Sequence, residues 1–398
     1  MQYNETLLFS TGGRSHFRIP SAVVTADGTV LAFCNDRRDT VDDHAPETNL
    51  VMVRKAQGEE WSPVQVLAHV DGWACTVGSA VYDENADIAF CSGLRIPVTR
   101  YEFGRYTEEE KREFARQTEE KVKAAGVPAG DFLLYSQDGG LHWQERPLQM
   151  EPHLFKREDG NIVPVRGCCH GSGAGITLRH GDRAGRLICP ARMATGEYHD
   201  MDGLRKYSYN NAIYSDDHGM TWAASAPVQP GTGEGTLMED AEGNILYNSR
   251  AYYEDRKRYL ATSTDGGETF GGFRTDDFLL DTAYMGCNAS LLRVERAELA
   301  DAHLLPEHAD GVTVFVNPRS ADRDHLTACI SFDSGRTWSH TRLIHEGRNA
   351  YSSLAFSHRE QLFYLLYECG ENDPYDRGIV CASFDLEWLL TSEQEERV

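Results

Sequence analysis

The chain has 398 residues, of which 40% are hydrophobic and 10% aromatic, and it carries a formal net charge of −23 at pH 7. That acidic balance argues against nucleic acid or an anionic membrane surface as a partner. The N-terminus lacks a basic segment followed by an apolar stretch, and no apolar run approaches the length of a membrane span, so we expect a cytoplasmic protein. No Pro/Ser-rich linker interrupts the chain, and we expect a single domain over residues 1–398.

Two arginines border strand-like runs near the start of the chain. Arg18 lies in HFRIPSAVV, and Arg37 lies in AFCNDRRDTVDDHA, where the acidic residues Asp42 and Asp43 follow. Taken singly, such arginines are usually surface ion-pair residues. They become candidates for a binding site if loops from distant parts of the chain bring similar groups to the same place.

The segment that begins at Thr107 is not β. Its sequence, TEEEKREFARQTEEKVKAAG, opens with a Thr-x-x-Glu capping box and stops at Gly126. We therefore predict one inserted helix near residues 108–125. The apolar face of this helix is thin, chiefly Phe114 and Val122, so we expect weak packing and either a surface decoration or a mobile lid.

Four copies of one phrase follow strand-like runs farther along the chain. They read SQDGGLHW, SDDHGMTW, STDGGETF and SFDSGRTW, and they end at Trp143, Trp222, Phe270 and Trp338. In each copy the Asp can accept backbone N–H groups inside a tight turn, and Gly permits a positive φ. The aromatic residue re-enters the core as the next strand begins. This repetition predicts repeated β-modules.

The intervals between the copies are unequal, which suits four-stranded blades joined by loops of different length better than a solenoid of steady period. Six blades of roughly 65 residues would fill the chain. We therefore predict an all-β fold, a six-bladed β-propeller with four-stranded antiparallel blades and the one inserted helix.

The ten cysteines sit at irregular intervals, mostly inside strand-like runs, and no CxxC occurs. Cys168, Cys169 and His170 are adjacent, but consecutive side chains on an extended segment point to opposite faces, which is poor geometry for one metal ion. We expect buried free thiols, with no metal, no cofactor and no disulfide framework.

Several phrases together resemble the exo-α-sialidases (neuraminidases) of glycoside hydrolase family 33, and the resemblance covers nearly the whole chain. FRIP matches the RIP motif of that family, and the four turn phrases match its Asp boxes. CNDRRDTVDDHA looks like its loop of Arg and acid, and EGTLMEDAEGNILYNSR like the segment with the active-site Glu and an Arg. NAYSSL followed by LLYE resembles the nucleophilic Tyr and the Glu downstream of it.

This resemblance implies roles for eight residues. Asp42 would be the general acid/base, with Asp43 as the alternative; Tyr351 would be the nucleophile and Glu234 the base that activates it. The remaining implied residues would bind substrate: Arg18, Arg250 and Arg323 as a triad on the carboxylate, Arg37 at the O4 region of the sugar, and Glu368 as the partner that orients Arg18.

Elementary electrostatics is consistent with these roles. Two guanidinium charges about 4 Å apart repel by roughly 4 kcal/mol at an effective dielectric of 20, so three in one pocket favour a bound carboxylate. A 2-keto sugar acid carries that carboxylate on its anomeric carbon, where an attacking Asp or Glu would meet like-charge repulsion and a neutral phenol would not. The phenol still needs a base within hydrogen-bond reach.

The leading interpretation is a retaining exo-α-sialidase that removes terminal α-linked sialic acids from a sialylated glycan or free sialoside through a covalent tyrosyl intermediate. One alternative is a hydrolase for a related 2-keto-3-deoxy sugar acid, KDN or Kdo, to which Arg192 in CPARMATG points; another is a trans-sialidase. A non-catalytic sialic-acid-binding lectin is the alternative from another class. Asp42, Glu234 and Tyr351 together argue against the lectin, because binding alone needs neither a phenol nor its base.

Overall fold

A computed structural model describes the chain over residues 1–43, 45–97, 107–169, 173–198 and 200–391. Within these ranges the chain is mostly β. The strands before the first helix are β1 (Tyr3–Ser10), β2 (Ser15–Val24), β3 (Val30–Arg38), β4 (Thr48–Lys55), β5 (Gln65–Ala68), β6 (Trp73–Asp83) and β7 (Ile88–Pro97).

The middle of the chain begins with the long helix and ends before the second helix. Its elements are α1 (Glu108–Ala125), β8 (Gly130–Ser136), β9 (Gln144–Pro147), β10 (Met150–Glu151), β11 (His153–Lys156), β12 (Ile162–Val165), β13 (Ile176–Thr177) and β14 (Leu187–Ala194).

The rest of the described chain is again dominated by strands. Its elements are α2 (Met201–Tyr207), β15 (Ser208–Ser215), β16 (Trp222–Ala224), β17 (Thr232–Glu239), β18 (Ile245–Ala251), β19 (Lys257–Ser263), β20 (Gly271–Leu280), β21 (Ser290–Glu295), β22 (Gly311–Pro318), β23 (Asp324–Ser331), β24 (His340–Ser357), β25 (Leu362–Gly370), β26 (Gly378–Phe384) and α3 (Leu386–Leu390). Short 3₁₀ helices cover Gly181–Arg183, Arg296–Glu298 and Ala302–Leu304.

The strands pair into sheets that are mostly antiparallel meanders. The orders are β2-β3-β4-β6-β7-β8-β9 with β5 beside β4, then β13-β14-β15-β16-β10, β17-β18-β19-β20, and β21-β22-β23-β24-β25-β26-β1, with β11-β12 as a separate hairpin. The sheets are not uniformly four-stranded, because the 18-residue β24 continues from one group of strands into the next and a single parallel bridge joins β4 to β6. The first strand, β1, pairs antiparallel with β26 near the other end of the described chain.

Strands of different groups pack against one another in a circular sequence. β24 contacts β2, β2 contacts β6, β6 contacts β13 and β14, β14 contacts β17, β17 contacts β21, and β21 contacts β24 again. Buried apolar clusters fill the spaces between neighbouring groups; one of them joins Val81 and Phe90 to Cys189 and Trp222. This arrangement is β-propeller-like.

The repeated turn phrases form the turns that the sequence predicts. In the second copy the Ser215 hydroxyl accepts the Gly219 N–H at 2.9 Å, and the Asp217 carboxylate accepts the Thr221 N–H at 2.9 Å. The Trp222 indole then donates to the Gly219 carbonyl at 3.1 Å, and the ring is buried as it enters β16. Equivalent bonds to Ser and Asp recur in the other three copies.

The predicted helix is present as α1, with the Thr107 capping box and a left-handed Gly126 at its end. Phe114 and Val122 are only half-buried, and α1 contacts β7, in keeping with its thin apolar face. The prediction of a single helix was incomplete, because α2 and α3 also form. They have seven and five residues, too few to show a helical period in the sequence.

No helix in the described ranges is long and apolar enough to cross a membrane. The ten cysteines all lie in the described ranges, form no disulfide there, and are buried except for the partly exposed Cys168. His170, which follows Cys168 and Cys169, lies outside the described residues, as does His44 in the acidic loop.

Candidate active site

The predicted site residues lie on strands and in turns that are far apart in sequence. Their positions are Arg18 on β2, Arg37 on β3, Asp42 in the turn after β3, Glu234 on β17, Arg250 on β18, Arg323 before β23, Tyr351 on β24 and Glu368 on β25. The Tyr351 ring lies at the centre. The guanidinium carbons of Arg18, Arg250 and Arg323 are 5.6, 5.9 and 5.6 Å from the centre of that ring.

Glu368 is fully buried and ties three strands together. One carboxylate oxygen accepts the Arg18 Nε–H and the Ile19 N–H, each at 2.7 Å, and the other accepts the Tyr351 N–H at 3.0 Å. Ile19 adopts a φ of +63°, which is strained for a β-branched residue, within a register shift between β2 and β3. The bond to Glu368 stabilises this bulge, which places Arg18 beside Tyr351.

Tyr351 and Glu234 are in direct contact, and both are buried. The Tyr351 hydroxyl oxygen lies 2.7 and 2.6 Å from the two Glu234 carboxylate oxygens. Arg250 Nη1 donates to the Tyr351 hydroxyl at 2.6 Å and also to the Glu234 carboxylate. A phenol, a carboxylate and a guanidinium therefore share one hydrogen-bonded network.

The protonation states of this network follow from burial and neighbouring charge. Burial raises the pKa of Tyr351 well above its ordinary value, and the Glu234 carboxylate raises it further against the opposing effect of Arg250. Burial also raises the pKa of Glu234, but the charges of Arg250 and Arg192 outweigh it and leave that pKa below its ordinary value. At neutral pH the resting site thus has a protonated phenol next to an ionised carboxylate.

Tyr375 is a site residue that the sequence reasoning missed. Its hydroxyl accepts a hydrogen bond from Arg323 Nη1, and its ring centre lies 3.7 Å from the Arg18 guanidinium carbon. Tyr375 therefore links two of the three arginines. In the sequence it stands in ENDPYD, which indicates a turn and gives no sign of a binding role.

The acidic loop is attached to the arginines through its backbone. The Val41 carbonyl accepts hydrogen bonds from Arg37 Nη1 and, at 3.4 Å, from Arg18 Nη1. The buried Arg37 also pairs with Asp43 at 2.7 Å, whereas the exposed Asp42 accepts the Thr40 hydroxyl at 3.0 Å. Both carboxylates thus stand at the rim, and Asp43 is the one paired with Arg37.

Arg192, on β14, is a further cation within electrostatic reach of Glu234. Burial lowers the pKa of its guanidinium, but the pKa is raised overall by Tyr252, Cys168 and Glu234, which lie within electrostatic reach. The next residue, Met193, is buried. Arg192, which in the sequence pointed to a related 2-keto-3-deoxy sugar acid, lies near Glu234 in the structure.

Among the described residues one group could in principle hold a metal ion, namely Glu47, His69 and Asp71. Its His69 ring already bonds Asn49 at 2.7 Å through Nδ1 and Asp71 at 3.0 Å through Nε2. Both ring nitrogens are therefore used in a surface hydrogen-bond network.

Comparison with known proteins gives a consistent result. The BNR repeat-like domain family matches residues 120–363. The sialidase of Micromonospora viridifaciens is 30% identical over 390 residues, which cover 95% of this chain and 52% of that relative, so the chain spans about half of its length. Human sialidase-3 is 24% identical over 395 residues, covering 89% of this chain and 86% of that protein.

Solved structures share the fold at lower identity. The Hadza microbial sialidase Hz136 superposes with a TM-score of 0.68 at 20% identity, covering 94% of this chain and 66% of that one. The intramolecular trans-sialidase of Ruminococcus gnavus, in complex with oseltamivir carboxylate, gives a TM-score of 0.66 at 14% identity, with coverage of 97% and 98%.

Proposed function

Because this chain belongs to the BNR repeat-like family and is a relative of exo-α-sialidases, which are glycoside hydrolases, we propose that it is a retaining exo-α-sialidase. It would release terminal α-linked sialic acids through a covalent intermediate on Tyr351. One observation carries this proposal: the Tyr351 hydroxyl contacts the buried, ionised Glu234 while three guanidinium groups surround the same ring.

We propose further that the fold is one domain of six four-stranded blades. The circular sequence of contacts from β2 through β6, β14, β17 and β21 to β24 supports this proposal. It is also supported by β24, whose first half pairs with β23 and whose second half pairs with β25. On this reading the blades are β2–β5, β6–β9, β13–β16, β17–β20, β21–β24 and β24–β26 with β1. The pairing of β1 with β26 would then close the last blade with the first strand of the chain.

In the first step of the proposed reaction the substrate carboxylate binds to Arg18, Arg250 and Arg323. Each charge-assisted bond contributes roughly 1.5–3 kcal/mol and relieves the mutual repulsion of the three cations. Glu368 offsets part of that repulsion in the empty site, since it pairs with Arg18 at 2.7 Å. The carboxylate lies on the anomeric carbon, so fixing it also fixes the carbon to be attacked.

In the second step the Tyr351 oxygen attacks the anomeric carbon. Its proton passes to Glu234, the bond to the leaving oxygen breaks, and Asp42 protonates that oxygen. Water then attacks the tyrosyl intermediate with Asp42 as the base, and Glu234 returns the proton to Tyr351. We assign the acid role to Asp42 rather than Asp43 because an ion pair with Arg37 favours a permanently ionised carboxylate.

A related substrate class has one observation in its favour. Arg192 is partly buried and within electrostatic reach of Glu234, and an extra cation there favours a hydroxyl-rich 2-keto acid such as KDN or Kdo over the N-acetylated sugar. Hydrolysis of aryl glycosides of N-acetylneuraminate, KDN and Kdo under identical conditions separates these substrates by their kcat/KM values.

Proton NMR of an aryl α-sialoside incubated with the protein tests the proposed reaction. A retaining enzyme releases the α-anomer of the free sugar first, before mutarotation. Release of the β-anomer first would contradict a covalent tyrosyl intermediate. Tight binding of the sialoside without any release would identify a lectin.

A further inference from the structure

We propose that the buried ion pair between Asp281 and Arg258 is a positioning device for the arginine triad. It fixes the loop of residues 282–287, and the carbonyl groups of that loop orient Arg250 and Arg323. The inference rests on the proposed function only in taking a carboxylate as the group that these arginines bind. Neither member of the pair belongs to the residues that would touch the substrate.

The ion pair closes both ends of the loop. Asp281 is 2% exposed; its Oδ1 accepts the Thr282 N–H at 2.9 Å and the Cys287 N–H at 2.8 Å. Arg258, on β19, is fully buried and donates through Nη1 to Asp281 Oδ2 and to the Cys287 carbonyl, each at 2.7 Å. Its Nε donates to Asn248 on the neighbouring strand at 2.7 Å, which anchors the pair to β18.

The residues between these ends face the proposed site. The Met285 carbonyl accepts the Arg250 Nε–H at 2.6 Å, and the Gly286 carbonyl accepts an Arg323 N–H at 3.5 Å. The Ala283 N–H donates to the Ala321 carbonyl at 2.8 Å, which joins the loop to the turn that carries Arg323. Two of the three arginines are thus oriented by one short segment.

The loop holds this shape against backbone strain. Met285 has a φ of +55°, a backbone conformation that residues other than glycine rarely adopt, and Gly286 has a φ of +62°. A Cβ on Gly286 would lie 2.7 Å from Asp281 Oδ2 and 3.1 Å from Arg250 Cγ. The ion pair, the loop and Arg250 are therefore in contact, and a change in one displaces the others.

Asp281→Asn tests the proposal, with Asp216→Asn as the matched control. Asp216 pairs at 2.7 Å with Arg186, another buried arginine, in a repeated turn. The measurements are crystal structures, the melting temperature, and the Kd of 2-deoxy-2,3-didehydro-N-acetylneuraminic acid by calorimetry. We expect Asp281→Asn to break the bond from Arg250 to Met285 and to weaken binding about tenfold or more. The control should change Kd by less than about twofold.

Two further variants separate positioning from stability. Gly286→Ala leaves both charges in place but crowds Asp281 and Arg250, so it should weaken binding to a similar degree. The double variant Asp281→Leu/Arg258→Met removes both buried charges, which can leave stability nearly unchanged, and it should still bind weakly. A double variant that restores both the melting temperature and the Kd would overturn the proposal, because the pair would then serve stability alone.

The two proposals can fail separately. If the wild-type protein hydrolyses no sialoside and binds no analogue, the proposed function fails. The crystal structures still decide the inference in that case: Arg250 and Arg323 that keep their wild-type positions in Asp281→Asn and Gly286→Ala would contradict it.

Discussion

Replacing Glu234 by glutamine removes the proposed base with almost no change in side-chain volume. Tyrosine has an ordinary pKa near 10, so ionising it at pH 7 without help costs about 4 kcal/mol. Burial raises the pKa of Tyr351 further, which makes the accepting carboxylate more important. A positioned general base typically contributes about 10²–10⁴-fold, and we expect kcat of Glu234→Gln to fall within that range.

Substrate binding should respond differently to this substitution. Glu234 is an anion next to Arg250, and its loss leaves the triad more strongly positive. The KM of an aryl sialoside, and the Kd of an unsaturated sialic acid analogue, should therefore stay constant or fall. Steady-state kinetics on the aryl sialoside, together with calorimetry on the analogue, separate the two quantities.

Glu239→Gln is the matched control, because Glu239 ends the same strand and accepts the backbone N–H groups of Arg179 and His180. It should leave kcat within about threefold of wild type. A loss in kcat of less than about tenfold in Glu234→Gln, or a rise in KM at unchanged kcat, would show that Glu234 is not the base.

The remaining predictions concern the proposed acid, Tyr375, the ion pair of Arg18 and Glu368, and the dependence of kcat on pH. Asp42→Asn should lose far more activity on a sialoside with a poor leaving group than on an aryl sialoside, and equal losses in kcat/KM would refute its acid role. Tyr375→Phe removes the hydrogen bond between the tyrosine hydroxyl and Arg323 but keeps the ring on Arg18. One hydrogen bond contributes roughly 1 kcal/mol, so the unsaturated sialic acid analogue should bind about five- to tenfold more weakly. An unchanged Kd by calorimetry would contradict the link between Tyr375 and Arg323. Glu368→Gln leaves the Arg18 charge buried without its partner, so the free energy of unfolding in urea should fall by about 3–5 kcal/mol. A fall of less than about 1 kcal/mol would show that the pair of Arg18 and Glu368 does not stabilise the fold. Because the pKa of Glu234 lies below its ordinary value, the carboxylate stays ionised as pH falls, and kcat should decline only below pH 4.5, the usual pKa of glutamic acid. A decline in kcat that begins near pH 6 would show that another group acts as the base.

The sequence predicted those features that depend only on residues close together in the chain. A repeated turn needs only its own Ser, Asp and Gly, and α1 is bounded by Thr107 and Gly126, so both could be located without the structure. The site residues Arg18, Glu234, Arg250 and Tyr351 were found through the resemblance to a family, because no spacing in the chain brings them together. Their roles in catalysis stay predictions.

Features that depend on distant strands could not be predicted. Tyr375 lies in an ordinary turn between β25 and β26, and its ring reaches Arg18 only in the folded chain. The loop closed by Asp281 and Arg258 has no sequence signature, since its function depends on which carbonyl groups face Arg250. The helices α2 and α3 were missed for a different reason, their short length.

Covalent trapping tests whether Tyr351 is the nucleophile. A 2,3-difluorinated sialic acid donor forms the glycosyl intermediate readily but slows its hydrolysis, so intact mass spectrometry followed by peptide mapping locates the modified residue. We expect one added glycosyl group on Tyr351 and none in Tyr351→Phe. Labelling of another residue, or turnover of natural sialosides by Tyr351→Phe at the wild-type rate, would contradict it.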